Sequence, residues 1–393
     1  MGPEVTRRQV VAGAMAAAAR APGQPNWLAA LAGRVQALGG PGLLRSYDVA
    51  GDGPFDLTHA QCAYVYDNAA AGLALLAGGH VDLARRLGDA LVQAQANDRY
   101  WHDGRLRNAY RAGPAPASGA YPLPGWWDDS AARWVEDAYQ AGTAVGVVAW
   151  AMLLLIALHH ATGDARYGVA AGRAAAWVSH TAQVSRGYAG GFLGFEPGPQ
   201  AVGWVSTEHN LDLAVAFAQL GMATDASHAR DFVDSMWDAK AGRFFAGLRP
   251  DGTPNPLAAV DANLWPSMTA FAQPDWQRAL AWTLAHQGVP PHAPKGVSFS
   301  DAQDGIWLEG TAYVALAAKR ANRTNLATTM LATLRAQTSP GGLVWASSTA
   351  RLSTGLSTGL TETADFFYYR RPHIGATAWA AMVHSSVDPF TLE

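Results

Sequence analysis

Two kinds of apolar segment alternate along the chain. Segments 81–95, 165–180, 226–237 and 325–337 carry an apolar stripe opposed by charges; Asp82, Arg85, Arg86 and Asp89 are spaced for one solvated helix face. Segments 60–77, 140–158, 207–220, 261–272, 306–318 and 374–384 are apolar on nearly every side, as buried helices are. Helix starts are predicted near Trp27, Ala60, Val81, Trp134, Ala165, Thr207, Ala226, Asp261, Asp275, Gly305, Asn325 and Ile374. Thr162-Gly163-Asp164 and Gly78-Gly79-His80 each end one helix and open the next, and Asp225 suits an N-cap.

Six helix pairs with amphipathic outer and apolar inner members predict an all-α fold, an (α/α)6 toroid of six helical hairpins. An open solenoid would show repeats more regular in length and motif. The stretches Ala96 to Arg133, Ser185 to Ser206, Ala239 to Val260 and Thr338 to Pro372 are long, aromatic and rich in Gly and Pro. Loops of that length inside a compact domain usually serve function. Strand-like pieces within them, Arg243-Phe244-Phe245-Ala246 and Gly342-Leu343-Val344-Trp345, predict short β pieces at one mouth of the barrel.

Residues 1–25 read as an address rather than as fold. Thr6-Arg7-Arg8-Gln9-Val10-Val11 fits a twin-arginine signal, a weakly apolar Ala-rich stretch follows, and Ala17, Ala19 and Ala21 offer cleavage sites. The expectation is export to the periplasm or beyond, with residues 26–393 as one barrel domain. Val145 to Leu158 is the nearest approach to a membrane span and is too short for one. Only 15% of residues are charged and the net charge is −3, so no phosphate-neutralising surface for nucleic acid is present. Cys62 is the only cysteine, which excludes a disulfide framework, and the 12 His lack metal-ligand spacing; neither metal nor cofactor is expected. Oligomeric state is left open.

Polar clusters that a core has no use for stand at the starts of the inner helices. They are Tyr66-Asp67-Asn68, Trp134-Val135-Glu136-Asp137, Ser206-Thr207-Glu208-His209-Asn210, Val260-Asp261-Ala262-Asn263-Leu264-Trp265, Trp307-Leu308-Glu309-Gly310-Thr311, and Thr361-Glu362 through His373. In a toroid the inner helices run the same way, so these clusters face one another across one mouth. A single carboxylate in a first turn is explained by the helix dipole alone, and Asp137 fits that reading. Clusters at all six starts, most beside an aromatic, point instead to a shared cavity. Glycosidic cleavage needs one protonated carboxyl and one ionised carboxylate, which a crowded acidic cavity walled by Trp can supply. The 15 Trp and 12 Tyr include loop residues such as Trp101, Trp127 and Trp204 that suit the apolar faces of sugars.

Tyr66-Asp67-Asn68-Ala69, Asp103-Gly104-Arg105-Leu106-Arg107-Asn108-Ala109-Tyr110, Ser206-Thr207-Glu208-His209-Asn210-Leu211-Asp212 and Trp307-Leu308-Glu309-Gly310-Thr311-Ala312 resemble bacterial six-hairpin glycosidase-like proteins. The resemblance implies an (α/α)6 fold with sugar cleavage at the mouth by an Asp/Glu pair. The same superfamily includes uronyl hydrolases, lyases, epimerases and phosphorylases.

Glu208 is the expected general acid, because it leads directly into the apolar run Leu211 to Leu220 and burial raises a carboxyl pKa. Asp67, on an otherwise apolar helix, is expected as base or hydroxyl binder, and Glu309, beside Trp307, is the third catalytic candidate. Expected saccharide contacts are Tyr66, Asn68, Arg105, Tyr110, Trp127, Glu136, His209, Asn210, Asp261, Trp265, Trp307, Glu362 and His373. The leading expectation is thus a hydrolase acting on an extracellular or cell-envelope poly- or oligosaccharide. A uronate lyase using Tyr110, His209, Asn210, Arg105 and Arg107, a non-catalytic glycan-binding barrel, and a barrel for isomerisation or cyclisation are the alternatives.

Overall fold

The computed structural model describes residues 25–357 and 366–391. The twin-arginine segment and Glu362 lie outside the described residues. Among the described residues, outer and inner helices alternate as the apolar pattern predicts. They are α1 (Trp27–Ala37), α2 (Val65–Ala77), α3 (Val81–Ala96), α4 (Val145–Thr162), α5 (Ala165–Thr181), α6 (Thr207–Gln219), α7 (Ala223–Ser235), α8 (Val260–Leu264), α9 (Arg278–Gln287), α10 (Leu308–Arg320), α11 (Thr324–Ala336) and α12 (Ile374–Ser385). The even-numbered helices are inner. Each packs on the next, α2 on α4, α4 on α6, α6 on α8, α8 on α10 and α10 on α12, and α12 returns to α2. That last contact closes the ring into an (α/α)6 barrel. The first outer helix, α1, packs against the last inner one, α12.

Side-chain pattern explains the layers. In α3, Leu83, Ala84, Leu87, Gly88, Leu91 and Ala94 form one buried stripe, so only that face enters the core. In α4 every residue from Val148 to Leu158 is buried, because the helix is covered on all sides. This helix is long and apolar enough to cross a membrane, but most of it lies inside the barrel wall. It runs past Leu158 through His159-His160 to Thr162, where Gly163 at φ 72° provides a left-handed stop. Small residues let the layers approach: a Cβ at Gly72 would stand 2.6 Å from the Leu154 methyls.

Three predicted boundaries shift for physical reasons. The segment from Ala60 first makes a strand, Cys62–Tyr64, paired with Ala109–Arg111. Trp134 lies in the hairpin strand Arg133–Val135 rather than at a helix start. The segment expected to be helical over 261–272 leaves the α conformation after Leu264 and continues as a 3-10 turn, Trp265–Met268, because Pro266 has no N–H to continue the ladder.

The mouth loops are tied down by a recurring device. The fourth residue of an inner helix is Asn68, Asn210, Asn263, Thr311 or Thr377, all fully buried. Asn68 Oδ1 accepts the Leu44 N–H at 2.7 Å while its Nδ2 donates to the Leu44 and Tyr64 carbonyls. Asn210 does the same with Tyr188 and Ser206, and Asn263 accepts the Phe244 N–H and donates to the Ala259 carbonyl. Thr311 accepts from the Val297 N–H and Thr377 from the Val344 N–H, each donating back to the carbonyl four residues earlier. In five of the six inner helices one side chain thus satisfies loop backbone groups that burial would otherwise orphan; in α4 the position is Val148.

Candidate functional site

The second residue of each inner helix faces the barrel axis. Around the ring these are Tyr66, Gly146, Glu208, Asp261, Glu309 and Gly375. Both glycines make room. A Cβ at Gly146 would stand 2.3 Å from the His209 ring, and one at Gly375 would stand 2.5 Å from Asp67 Oδ1 and 3.1 Å from Glu309 Oε2. Bare positions on α4 and α12 therefore admit side chains from α6, α2 and α10 into the axis.

Four residues further on, the same faces carry Trp150, Asp212, Trp265, Tyr313 and Trp379, which meet as a floor. Trp150, Trp265 and Trp379 lie 5.5 to 5.6 Å apart between ring centroids, and Tyr313 packs edge-on to Trp379 at 4.5 Å. Phe390, beyond the end of α12, packs on all three tryptophans from the opposite end. Between floor and loops is a cavity of about 200 Å³ whose walls include Tyr66, Asp67, Trp204, Glu208, His209, Asp261, Trp307, Glu309, Tyr313, Tyr368 and His373.

Two acidic clusters share this cavity. On one side, Glu208 makes no hydrogen bond or ion pair with another described side chain. Burial, with the neighbouring charges of Asp261, Asp212 and Glu309, pushes its carboxyl well above the usual carboxylate range. Asp212 Oδ2 accepts the Trp150 indole N–H at 3.1 Å, its Oδ1 is buried without a partner among the described residues, and burial drives its pKa well up too. Asp261 is pushed up to about 7, chiefly by burial, although its Oδ1 accepts the Ala262 N–H at 2.6 Å.

On the other side, Glu309 Oε1 accepts hydrogen bonds from Tyr66 and from Tyr313, the latter at 2.7 Å, and Trp379 donates to the Tyr66 oxygen at 2.8 Å. His373 lies between Asp67 Oδ2, 3.2 Å from its Nε2, and Glu309 Oε2, 3.6 Å from its Nδ1. Burial opposes charge on this imidazole, but Asp67 and Glu309 outweigh it and hold the pKa above the usual histidine value. Burial also raises the Glu309 carboxyl, against the pull of His373 and the two tyrosine hydroxyls. His209 differs: burial lowers it to about 4, its Nδ1 has no partner among the described residues, and the Trp204 ring lies 5.3 Å away.

The cavity therefore brings together Glu208, Asp67, Glu309, Tyr66, His209, Asp261, Trp307 and His373 of the expected residues, with Trp265 in the floor beneath them. Others have different work. Asn68 and Asn210 are the loop anchors described above. Arg105 pairs with Asp103 at 2.6 Å and lies over the Trp101 ring, while Tyr110 is buried with its hydroxyl accepting the Arg107 N–H. Glu136 holds Arg99 through two bonds of 2.7 Å, and Trp127 stands exposed on a hairpin opposite Trp134. None of these six lines the cavity. Arg107, buried between Asp98 and Glu196, does not line it either. Asp212, Tyr313 and Trp379 were missed, yet a four-residue step from Glu208, Glu309 and Gly375 leads to each.

No protein-family model and no curated protein matches the chain. Solved structures do match its shape. A glycosidase variant in complex with glucose aligns at TM-score 0.58 and 13% identity, over 93% of this chain and 98% of that one. A cellobiose 2-epimerase from Bacillus thermoamylovorans aligns at TM-score 0.60 and 9% identity, over 91% and 98%. An alpha-amylase from Clostridium perfringens aligns at TM-score 0.62 and 7% identity, over 94% and 100%. At such identities the likeness establishes the fold alone, an (α/α)6 barrel.

Proposed function

We propose that the chain is a carbohydrate-active enzyme that hydrolyses glycosidic bonds, with Glu208 as general acid and Asp261 as its ionised partner. The observation that carries this reading is the Glu208 carboxyl, enclosed in a cavity, without a hydrogen-bonding partner among the described side chains and raised in pKa by burial and by three neighbouring carboxyls. Such a group keeps its proton near neutrality and can give it to the glycosidic oxygen as the bond to the anomeric carbon breaks. Water attacks that carbon and passes its proton to Asp261, whose Oδ1 accepts the Ala262 N–H at 2.6 Å, a bond that favours the ionised form. Neighbours that settle at different pKa values are how two carboxyls divide acid and base roles.

Asp67 and Glu309 serve this scheme as hydroxyl acceptors. Asp67 is engaged by His373 and Glu309 by two tyrosines, which suits orientation of a sugar better than proton transfer. Trp204 and Trp307 on the walls supply apolar surface for a ring. A glycosidase of the same fold holds glucose, and this supports a saccharide ligand here. The residues a uronate lyase would have drawn on in the long second loop, Arg105, Arg107 and Tyr110, are absent from the cavity wall. The twin-arginine pattern Thr6 to Val11 supports an exported enzyme acting on polysaccharide in the periplasm or outside the cell.

One observation favours a second reading. His209 and His373 both line the cavity, and a pair of imidazoles can take and return a proton next to a sugar carbonyl, as epimerisation requires. Incubation with a panel of polysaccharides and reducing disaccharides separates the readings. Hydrolysis yields new reducing ends that Glu208→Gln abolishes. An epimer with no new reducing ends supports the second reading. Saccharide binding without either product means a non-catalytic barrel.

A further inference from the structure

The floor of the cavity limits what can pass Glu208. Glu208 lies in the first turn of α6 and the tryptophan floor begins at the level of Asp212, one turn or roughly 5.4 Å deeper. Trp150 and Tyr313 line the base of the cavity there, Trp265 and Trp379 pack against them, all four are buried, and Phe390 covers the three tryptophans from the far side. The volume of about 200 Å³ agrees with this depth. Pockets for drug-sized ligands run from roughly 300 Å³ upward, whereas one of roughly 150 Å³ holds a single benzene. One sugar ring fits below the mouth and a second does not.

Charge narrows the ligand further. Among the described residues the wall contains no Lys or Arg, and its carboxyls are Asp67, Glu208, Asp261 and Glu309. Its one group disposed to be cationic, His373, is already held between Asp67 and Glu309. A uronic acid would bring a further negative charge and find no partner for it.

We propose that this cavity is a dead-end subsite for one terminal residue of a neutral saccharide, so that the enzyme trims chains from an end and releases monosaccharide. The inference rests on the hydrolase reading above and specifies its substrate class and mode of action.

The test is a time course on malto-, cello-, laminari- and manno-hexaose and on an oligogalacturonate of the same length, with products sized by anion-exchange chromatography. In every neutral series that is cleaved, monosaccharide and pentasaccharide appear first, in equal molar amounts, and the oligogalacturonate stays intact. Disaccharide or trisaccharide as the first product, or cleavage of the oligogalacturonate, overturns the dead-end subsite and leaves the hydrolase reading standing. Release from none of the five overturns the hydrolase reading and this inference with it.

Discussion

Glu208 and Asp212 project from the same face of α6 one turn apart, and the lower carboxyl is fixed by the Trp150 indole N–H at 3.1 Å. Two carboxyls so placed, with Asp261 beside them, cannot all carry charge in a buried space. Asp212 is the one with no route to the cavity. It holds its proton in the folded state, whereas the unfolded chain loses it near pH ~4. Folding therefore takes up a proton, and stability falls as pH rises above the unfolded value by about 1.4 kcal/mol per pH unit until the folded group titrates. Asp212→Asn keeps an acceptor for Trp150 and removes that penalty. It should raise the melting temperature at neutral pH, with the gain shrinking toward pH ~4, where both states are protonated. Thermal unfolding across pH measures this; an equal shift at every pH would contradict a protonated Asp212.

Activity should be bell-shaped in pH. Asp261 must lose its proton, which sets the acid limb at about 7, and Glu208 must keep its own, so its raised carboxyl sets the alkaline limb. The charge of Glu309 helps to raise Asp261, so Glu309→Gln should move the acid limb below 7 even if the maximum rate drops. Profiles of kcat/KM for both proteins decide the matter, and an unmoved acid limb counts against Asp261 as the titrating group.

The Asn anchors are structural and should behave so. Asn210→Ala strands the Tyr188 N–H and carbonyl in a buried place, at a cost of roughly 1–3 kcal/mol per orphaned group. A fall of several degrees in melting temperature is expected, with saccharide affinity of the remaining folded protein little changed. A large loss of affinity at full stability would return Asn210 to the binding site.

Gly146→Ala places a methyl where the His209 ring lies. The ring must move into the cavity beside Glu208, so activity should fall at least tenfold while the far-UV spectrum is retained. Unchanged kinetics would mean that the ring has room elsewhere.

The barrel was legible because helix periodicity and all-round apolarity are local properties of sequence, and α3 and α4 show both plainly. The convergence of helix starts was legible too, because equal direction of the inner helices follows from a closed ring. Individual roles were less so. Asn68 and Asn210 look in sequence like Asn beside any catalytic acid, and only the loop backbone they reach, Leu44 or Tyr188, shows what they bind. Arg105, Arg107, Tyr110 and Glu136 were drawn to the mouth by their chemistry but serve ion pairs and packing that join distant segments. Asp212 ends a motif noted in the sequence but, followed by an apolar run, was not among the expected site residues, although its four-residue step from Glu208 places it on the same face. Pro266 was also in plain sight, and it ends the α conformation of α8 early.

The central claim is that Glu208 supplies the proton to the leaving oxygen, and leaving-group dependence tests it most directly. Glu208→Gln should lose roughly 10²–10⁴-fold in kcat on a natural oligosaccharide, the usual contribution of general acid catalysis. The same variant should lose little on a dinitrophenyl glycoside of the same sugar, whose leaving group departs without a proton. Equal losses on both substrates, or no loss on either, would contradict the assignment.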